Sequence, residues 1–276
     1  MPPHPGSAKT RDVTTIEAGR LRAIAAELCR AGCAAAGDEA AELLAAAGPD
    51  AVRLAQLVER RRTGEPLAWL TGSVSFCGET VLVAPGVYVP RPQSEALARA
   101  AVARLPDDGL AVDLCTGCGA IAVVLARRRP NARVIATDID TAAVACARAN
   151  GVEVVEGDLA AGLPGGLARQ VDVVTAVVPY VPTGELRLLP RDVVAFEPRL
   201  ALDGGADGTV HLARAAVAAA RLLRPGGSLL VEIGGDQAAL LEPLLTKLGY
   251  REIEVWSDAE GDPRALWCRL SADHSD

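Results

Sequence analysis

Residues 110–128 read LAVDLCTGCGAIAVVLARR. The first five are apolar except for Asp113, the next five hold two glycines, and the remainder is rich in Ala, Val and Leu. A short apolar run bounded by a glycine turn fits a buried strand, and an Ala/Leu-rich stretch after it fits a helix. The pattern recurs downstream. ARVIATD (132–138) precedes a helix at 140–149, and VEVVEGD (152–158) and VDVVTAVV (171–178) read as strands. A helix over 208–223 leads to a strand GGSLLVEIG (226–234) and a helix over 236–248. Five βα units in a row predict an α/β fold with a mostly parallel, doubly wound sheet and right-handed crossovers. The last strands, YREIEVW (250–256) and RALWCRL (264–270), have only a short connection, so an antiparallel hairpin is expected at one edge.

Upstream the character differs. From Thr14 to Leu70, apolar residues recur at helical spacing: Leu21, Ile24 and Leu28, then Ala40, Leu43 and Leu44, then Leu54, Leu57 and Val58. Gly37 and Gly48-Pro49 break the pattern, so a small helical domain is expected over 14–70. Residues 71–90 alternate, with Val74 and Phe76, then Val81 and Val83, around a Gly-Glu turn at 78–79. They read as a β-hairpin connector to a domain over 91–276. Residues 1–13 are polar and Pro-rich, lack the apolar core of a secretion signal and are expected to be disordered.

The chain has 276 residues, is 50% hydrophobic and carries a net charge of −7. A duplex nucleic-acid binder shows a basic face, and a run such as Arg60-Arg61-Arg62 is too short to make one, so no nucleic-acid partner is expected. No stretch approaches the ~18 apolar residues of a membrane span. Seven scattered cysteines point to reduced thiols and a cytoplasmic location. Cys115 and Cys118 form a CxxC, but no second CxxC or His pair completes a metal site, so no metal is expected.

In doubly wound sheets ligands bind beyond the carboxyl ends of the strands. Three successive strand ends carry Asp113 with Thr116, Gly117 and Gly119, then Asp138-Ile139, then Asp158-Leu159. Glycines before a helix allow close backbone approach, Asp138 suits a ribose diol, and Asp158 suits an adenine amine. The third glycine of a dinucleotide site is missing from GCGAIA. An aspartate before the glycines suits an ammonium better than a pyrophosphate. These features point to S-adenosylmethionine.

Together with GEPLAWLTGSVSFCG (64–78), YVPRPQSE (88–95), DLCTGCGAIA (113–122), FEPRLALDGGADG (196–208) and LRPGGSLLVEIGGDQ (223–237), the chain resembles the HemK/PrmC-type protein-glutamine N5-methyltransferases. The resemblance implies a class I S-adenosylmethionine-dependent methyltransferase fold, a helical N-terminal domain and a β-hairpin. It also implies that Arg91 borders the cofactor, and that Glu95, Phe196, Glu197 and Pro198 lie by the substrate. The N-terminal domain would dock a protein, cover a small substrate or form a homodimer contact.

One departure bears on the substrate. The family's Asn-Pro-Pro-Tyr is here Val177-Val178-Pro179-Tyr180. The resemblance implies that the Asn side chain and the next carbonyl accept the two N–H bonds of an amide. Val177 accepts none, which costs a docked primary amide roughly 1–3 kcal/mol. The Val178 carbonyl remains and suits a nitrogen with one hydrogen. The expected reaction is therefore N-methylation of a secondary nitrogen in a small amino-acid-like molecule, with the guanidine δ-nitrogen of arginine as leading candidate. Val178, Pro179, Tyr180 and Glu197 are the candidate catalytic residues, and Glu95 and Glu232 further carboxylates for a guanidinium. The alternatives are the family's own reaction on a peptide release factor, with Asp192 or Asp203 replacing the Asn, and an inactive cofactor-binding paralogue.

Overall fold

A computed structural model describes residues 7–272. The chain divides into two compact units, Met1–Gly72 and Ser73–Asp276.

In the first unit, α1 (Ser7–Arg30), α2 (Ala36–Ala47), α3 (Ala51–Arg62) and α4 (Leu67–Thr71) follow in order. Of the stretch expected to be disordered, residues 1–6 lie outside the described residues and the rest begins α1. The first break falls at Gly32 (φ +91°), and Gly37, expected as the breaker, lies in the first turn of α2. Asp50 caps α3, its carboxylate accepting from the backbone N–H groups of Val52 and Arg53 at 2.9 Å each. Leu28, Leu43, Leu54 and Leu57 form the core of the unit. The basic run is spent within the unit: Arg60 pairs with Glu65, Arg61 with Glu39 and Arg62 with Glu59.

The second unit opens with β1 (Ser73–Phe76) and β2 (Glu79–Leu82), paired antiparallel. Their turn is Cys77-Gly78 rather than 78–79. Both residues have positive φ (52° and 77°), the backbone a two-residue hairpin requires. Helix α5 (Ser94–Arg104), for which the sequence reading named no element, leads into β3 (Leu110–Leu114), α6 (Ala120–Arg128), β4 (Arg133–Asp138), α7 (Thr141–Ala149), β5 (Glu153–Glu156) and β6 (Val171–Ala176). The β5–β6 crossing carries no α-helix, so one of the five expected βα units lacks its helix. Gly157, Gly162, Pro164, Gly165 and Gly166 keep that stretch in turns. After β6 come α8 (Arg191–Phe196), α9 (Val210–Leu222), β7 (Leu223–Glu232), α10 (Gln237–Lys247), β8 (Tyr250–Ser257) and β9 (Pro263–Leu270).

The seven-stranded sheet has the order β5-β4-β3-β6-β7-β9-β8. The first five strands are parallel, and β9 runs antiparallel between β7 and the edge strand β8. This is the class I methyltransferase arrangement, and the reversal of strand order beside β3 puts the ligand crevice at the ends of β3 and β6. Central strands are covered on both faces, so β3 and β6 are buried almost throughout. No helix among the described residues is long and apolar enough to cross a membrane.

Candidate active site

The carboxyl ends of β3, β4, β5 and β6 open onto one cavity of about 520 Å³. Asp113 lies one residue from the end of β3, opposite Ala136 and Thr175 in the flanking strands. Its carboxylate accepts the hydroxyls of Thr116 and Thr175, each at 2.6 Å. Burial pushes its pKa up to about 6; the two hydroxyls oppose the shift and Asp138 adds to it. Since this exceeds the ordinary value of 3.8, the ligand-free protein gains stability as pH falls through 6 and loses it as pH rises. A cationic ligand held by Asp113 prefers the ionised form, so the sign reverses for binding. S-adenosylmethionine affinity is expected to fall about tenfold between pH 7 and pH 5, measured by calorimetry. A flat profile would remove Asp113 from ligand contact.

The two loop glycines have different jobs. Gly117 (φ +57°) lines the cavity, and a Cβ there would meet nothing within 4 Å. It is a cradle that any side chain would fill, which is the fit an adenosyl-amino-acid ligand needs. Gly119 (φ +86°) begins α6 and does not line the cavity. Its Cβ would stand 2.9 Å from Val152 Cγ2 and 3.2 Å from Ala147 Cβ, so it serves packing against α7, not the ligand contact expected of it.

Asp138 accepts the backbone N–H of Gly117 at 2.8 Å and that of Asp140 at 2.9 Å, one on each oxygen. Each oxygen keeps a lone pair for a diol. Asp158 is held by Arg214 at 2.6 Å. Ile139, 51% exposed, and Leu159 offer apolar surface for a flat ring. Burial pushes the Cys115 and Cys118 thiols up to about 12, so neither is a reactive thiolate at neutral pH.

Beyond β6, Val177, Pro179 and Tyr180 line the cavity. Val178 points its side chain into the core beneath the sheet. No described residue donates a hydrogen bond to its carbonyl. The Tyr180 carbonyl accepts from Gln237 Nε2 at 2.7 Å, and Val181 exchanges backbone bonds with Leu202 and Gly204. A Cβ on Gly204 would lie 2.7 Å from Tyr180 Cα, so only glycine admits this approach. Sequence reasoning assigned no role to Gly204, Gly208 or Gln237. The Asp-Gly-Gly run at 203–205 was the available signal.

The three carboxylates offered for a guanidinium are all engaged. Glu232 accepts the Tyr180 hydroxyl at 2.8 Å, Gln93 Nε2 at 3.3 Å, and the Ser94 hydroxyl. Glu95 turns away from the cavity to accept the Cys77 backbone N–H and Arg99, each at 2.9 Å. Glu197 is buried behind the cavity wall, ion-paired to Arg91, which lies over the Tyr88 ring at 5.0 Å. Burial raises the Glu197 pKa, opposed by Arg91. Arg91 and Pro198 line the cavity, whereas Glu95, Phe196 and Glu197 do not. The position of a glutamate in sequence is blind to whether a donor from elsewhere already holds it.

Comparison with known proteins agrees with this geometry. A sequence family described as a methyltransferase domain matches residues 111–194. The release factor glutamine methyltransferase of Moorella thermoacetica is 41% identical over 225 residues, covering 78% of each chain. The 4-amino-L-phenylalanine/4-methylamino-L-phenylalanine methyltransferase of Streptomyces pristinaespiralis is 39% identical over 228 residues, covering 79% of this chain and 76% of its own. Among solved structures, a methyltransferase from Pyrococcus furiosus shares the fold, with a TM-score of 0.51 and 21% identity over 70% of this chain and 90% of its own. With the cradle at Gly117, the acids at three strand ends and relatives of this closeness, the chain belongs to the HemK/PrmC-type family and is an S-adenosylmethionine-dependent N-methyltransferase.

Proposed function

We propose that the enzyme methylates an amine nitrogen on a small, amino-acid-like molecule with an apolar or aromatic side group. One observation carries the reading: Val177, which cannot accept a hydrogen bond, stands in the cavity wall where the family's motif has Asn. An amide nitrogen needs two acceptors to free its lone pair. An amine nitrogen holds its lone pair already, and the single Val178 carbonyl suffices to aim it. The surrounding wall, with Pro179, Tyr180, Leu189, Pro190 and Val193, is apolar. The Streptomyces relative is named for a ring amine of this kind. A guanidinium is a weaker match, because Glu95, Glu197 and Glu232 are already engaged.

S-adenosylmethionine supplies an electrophilic methyl group on a positively charged sulfur. Asp113, Asp138 and the Gly117 backbone would hold the adenosyl-amino-acid frame. The Val178 carbonyl would accept the acceptor's N–H and so orient the nitrogen's lone pair. The acceptor nitrogen's surplus proton would leave to water. Tyr180 is a neutral donor throughout, since burial pushes its phenol far up and Glu232 beside it adds to the shift.

The second reading, a glutamine amide in a release factor, is favoured by the name of the Moorella relative. Label from methyl-labelled cofactor separates the readings when 4-aminophenylalanine, arginine and a release factor with its Gly-Gly-Gln loop are offered together. Label on the ring amine supports the proposal; label on arginine keeps a small acceptor but moves it to a guanidine. Label on the protein alone sinks both, and label on none leaves a cofactor-binding paralogue. Val177→Asn is expected to raise amide methylation relative to methylation of 4-methylaminophenylalanine, whose nitrogen carries one hydrogen, roughly 10- to 100-fold, the cost of one unpaired N–H. An unchanged ratio would refute the hydrogen-bond count.

A further inference from the structure

Asp192 lies in the first turn of α8, half-buried, and lines the cavity together with Leu189, Pro190 and Val193. Among the described residues its carboxylate has no hydrogen-bond or ion-pair partner. It is near enough to Glu197 to act on it as a like charge. Glu197 is more than nine-tenths buried and gives one oxygen to Arg91, while its Oε2 has no partner. Glu197, Asp192 and Arg91 therefore leave one negative charge uncompensated at the cavity wall. The nearby Arg199 is taken by Asp203 at 2.8 Å and Arg214 by Asp158 at 2.6 Å. Among the described residues no ion pair forms to Asp192, and a half-buried charge without a partner is unfavourable.

We infer that Asp192 is the anchor for the α-ammonium group of the amino-acid acceptor. The assignment rests on the small-molecule reading above and adds which end of the acceptor is recognised. The cation meets the Asp192 carboxylate at the wall, and its field reaches the half-paired Glu197 behind. One ligand charge thus serves two anions, and the apolar remainder of the molecule runs past Val193 and Pro190 towards Tyr180. The sequence puts the substrate's charged end at Glu197, but Glu197 is paired with Arg91 and does not line the cavity, whereas Asp192 does.

The experiment measures KM with two acceptors, 4-aminophenylalanine and its deaminated form 3-(4-aminophenyl)propanoate, for the native enzyme and for Asp192→Asn. The native enzyme should show a KM at least tenfold higher for the deaminated acid, the range of a hydrogen bond to a charged group. Asp192→Asn should raise KM for the amino acid about tenfold and leave KM for the deaminated acid unchanged. Asp192→Glu should restore most of the difference. An unaltered cofactor Kd shows that the variant is folded. A variant that raises both KM values equally, or neither, overturns the anchor. Failure of the native enzyme to methylate either compound, with label passing to the release factor instead, overturns the acceptor reading itself and the anchor with it.

Discussion

Gly208→Ala is expected to lower kcat/KM at least 100-fold while leaving cofactor affinity within severalfold. Gly208 (φ +78°) sits against the backbone of the methyl-transfer loop. A Cβ there would overlap both the Tyr180 carbonyl oxygen and Gln237 Nε2, and stand 3.1 Å from the Tyr180 carbonyl carbon. Those two atoms form the hydrogen bond that fixes the loop, at 2.7 Å. The methyl group has backbone on one side and a buried amide on the other, so Tyr180 must shift. A shift of about 1 Å at reacting atoms costs about 100-fold in rate. The left-handed backbone adds about 1–2 kcal/mol of strain for alanine. The residues proposed for the cofactor are on other strand ends, at β3, β4 and β5, and are spared. Gly234→Ala is the control: its Cβ would meet Tyr180 Cε2 at 3.7 Å, an ordinary contact, and activity should change less than twofold. Equal behaviour of the two variants in a steady-state assay would show that the loop is not held from this side.

Glu232→Ala is expected to cost about 3 kcal/mol of stability and to lower Tm by about 10 °C. Glu232 is 1% exposed and gathers three donors, from Tyr180, Gln93 and Ser94. Removing it strands the Tyr180 and Ser94 hydroxyls without an acceptor in a buried place, and each stranded group costs about 1–3 kcal/mol. Tyr180 also loses the contact that sets its ring angle, so acceptor turnover should fall further than the stability loss explains. Glu232→Gln keeps the shape and one acceptor oxygen and should recover more than half of both effects. Scanning calorimetry beside a methyl-transfer assay checks the pair. If the Ala and Gln variants are alike, the carboxylate is not what holds Tyr180.

The strands and the cofactor loop were readable one residue at a time. Leu110–Leu114, Val171–Ala176 and the core of β7 are buried on both faces, so they appear as plain apolar runs. The acids at their ends stand out against that background, and Asp113, Asp138 and Asp158 all reach the cavity. The helix missing after β5 and the turn at Cys77-Gly78 were less legible, because glycine marks a break without naming the backbone it adopts.

The sequence alone determined the doubly wound sheet, the cofactor class and the loss of the Asn acceptor at Val177, since each depends on residue types within one short stretch. Only the tertiary structure decided which carboxylate stands on the cavity wall. Glu95, Glu197, Glu232 and Asp192 are equivalent as letters. Glu95 is taken up 18 residues away by Cys77, Glu197 by Arg91 from 106 residues away, and Glu232 by Ser94 from 138. Glu95, Glu197 and Glu232 stand off the cavity wall, and Asp192 is on it. That is settled by which distant segments the sheet order sets side by side, and it leaves Asp192.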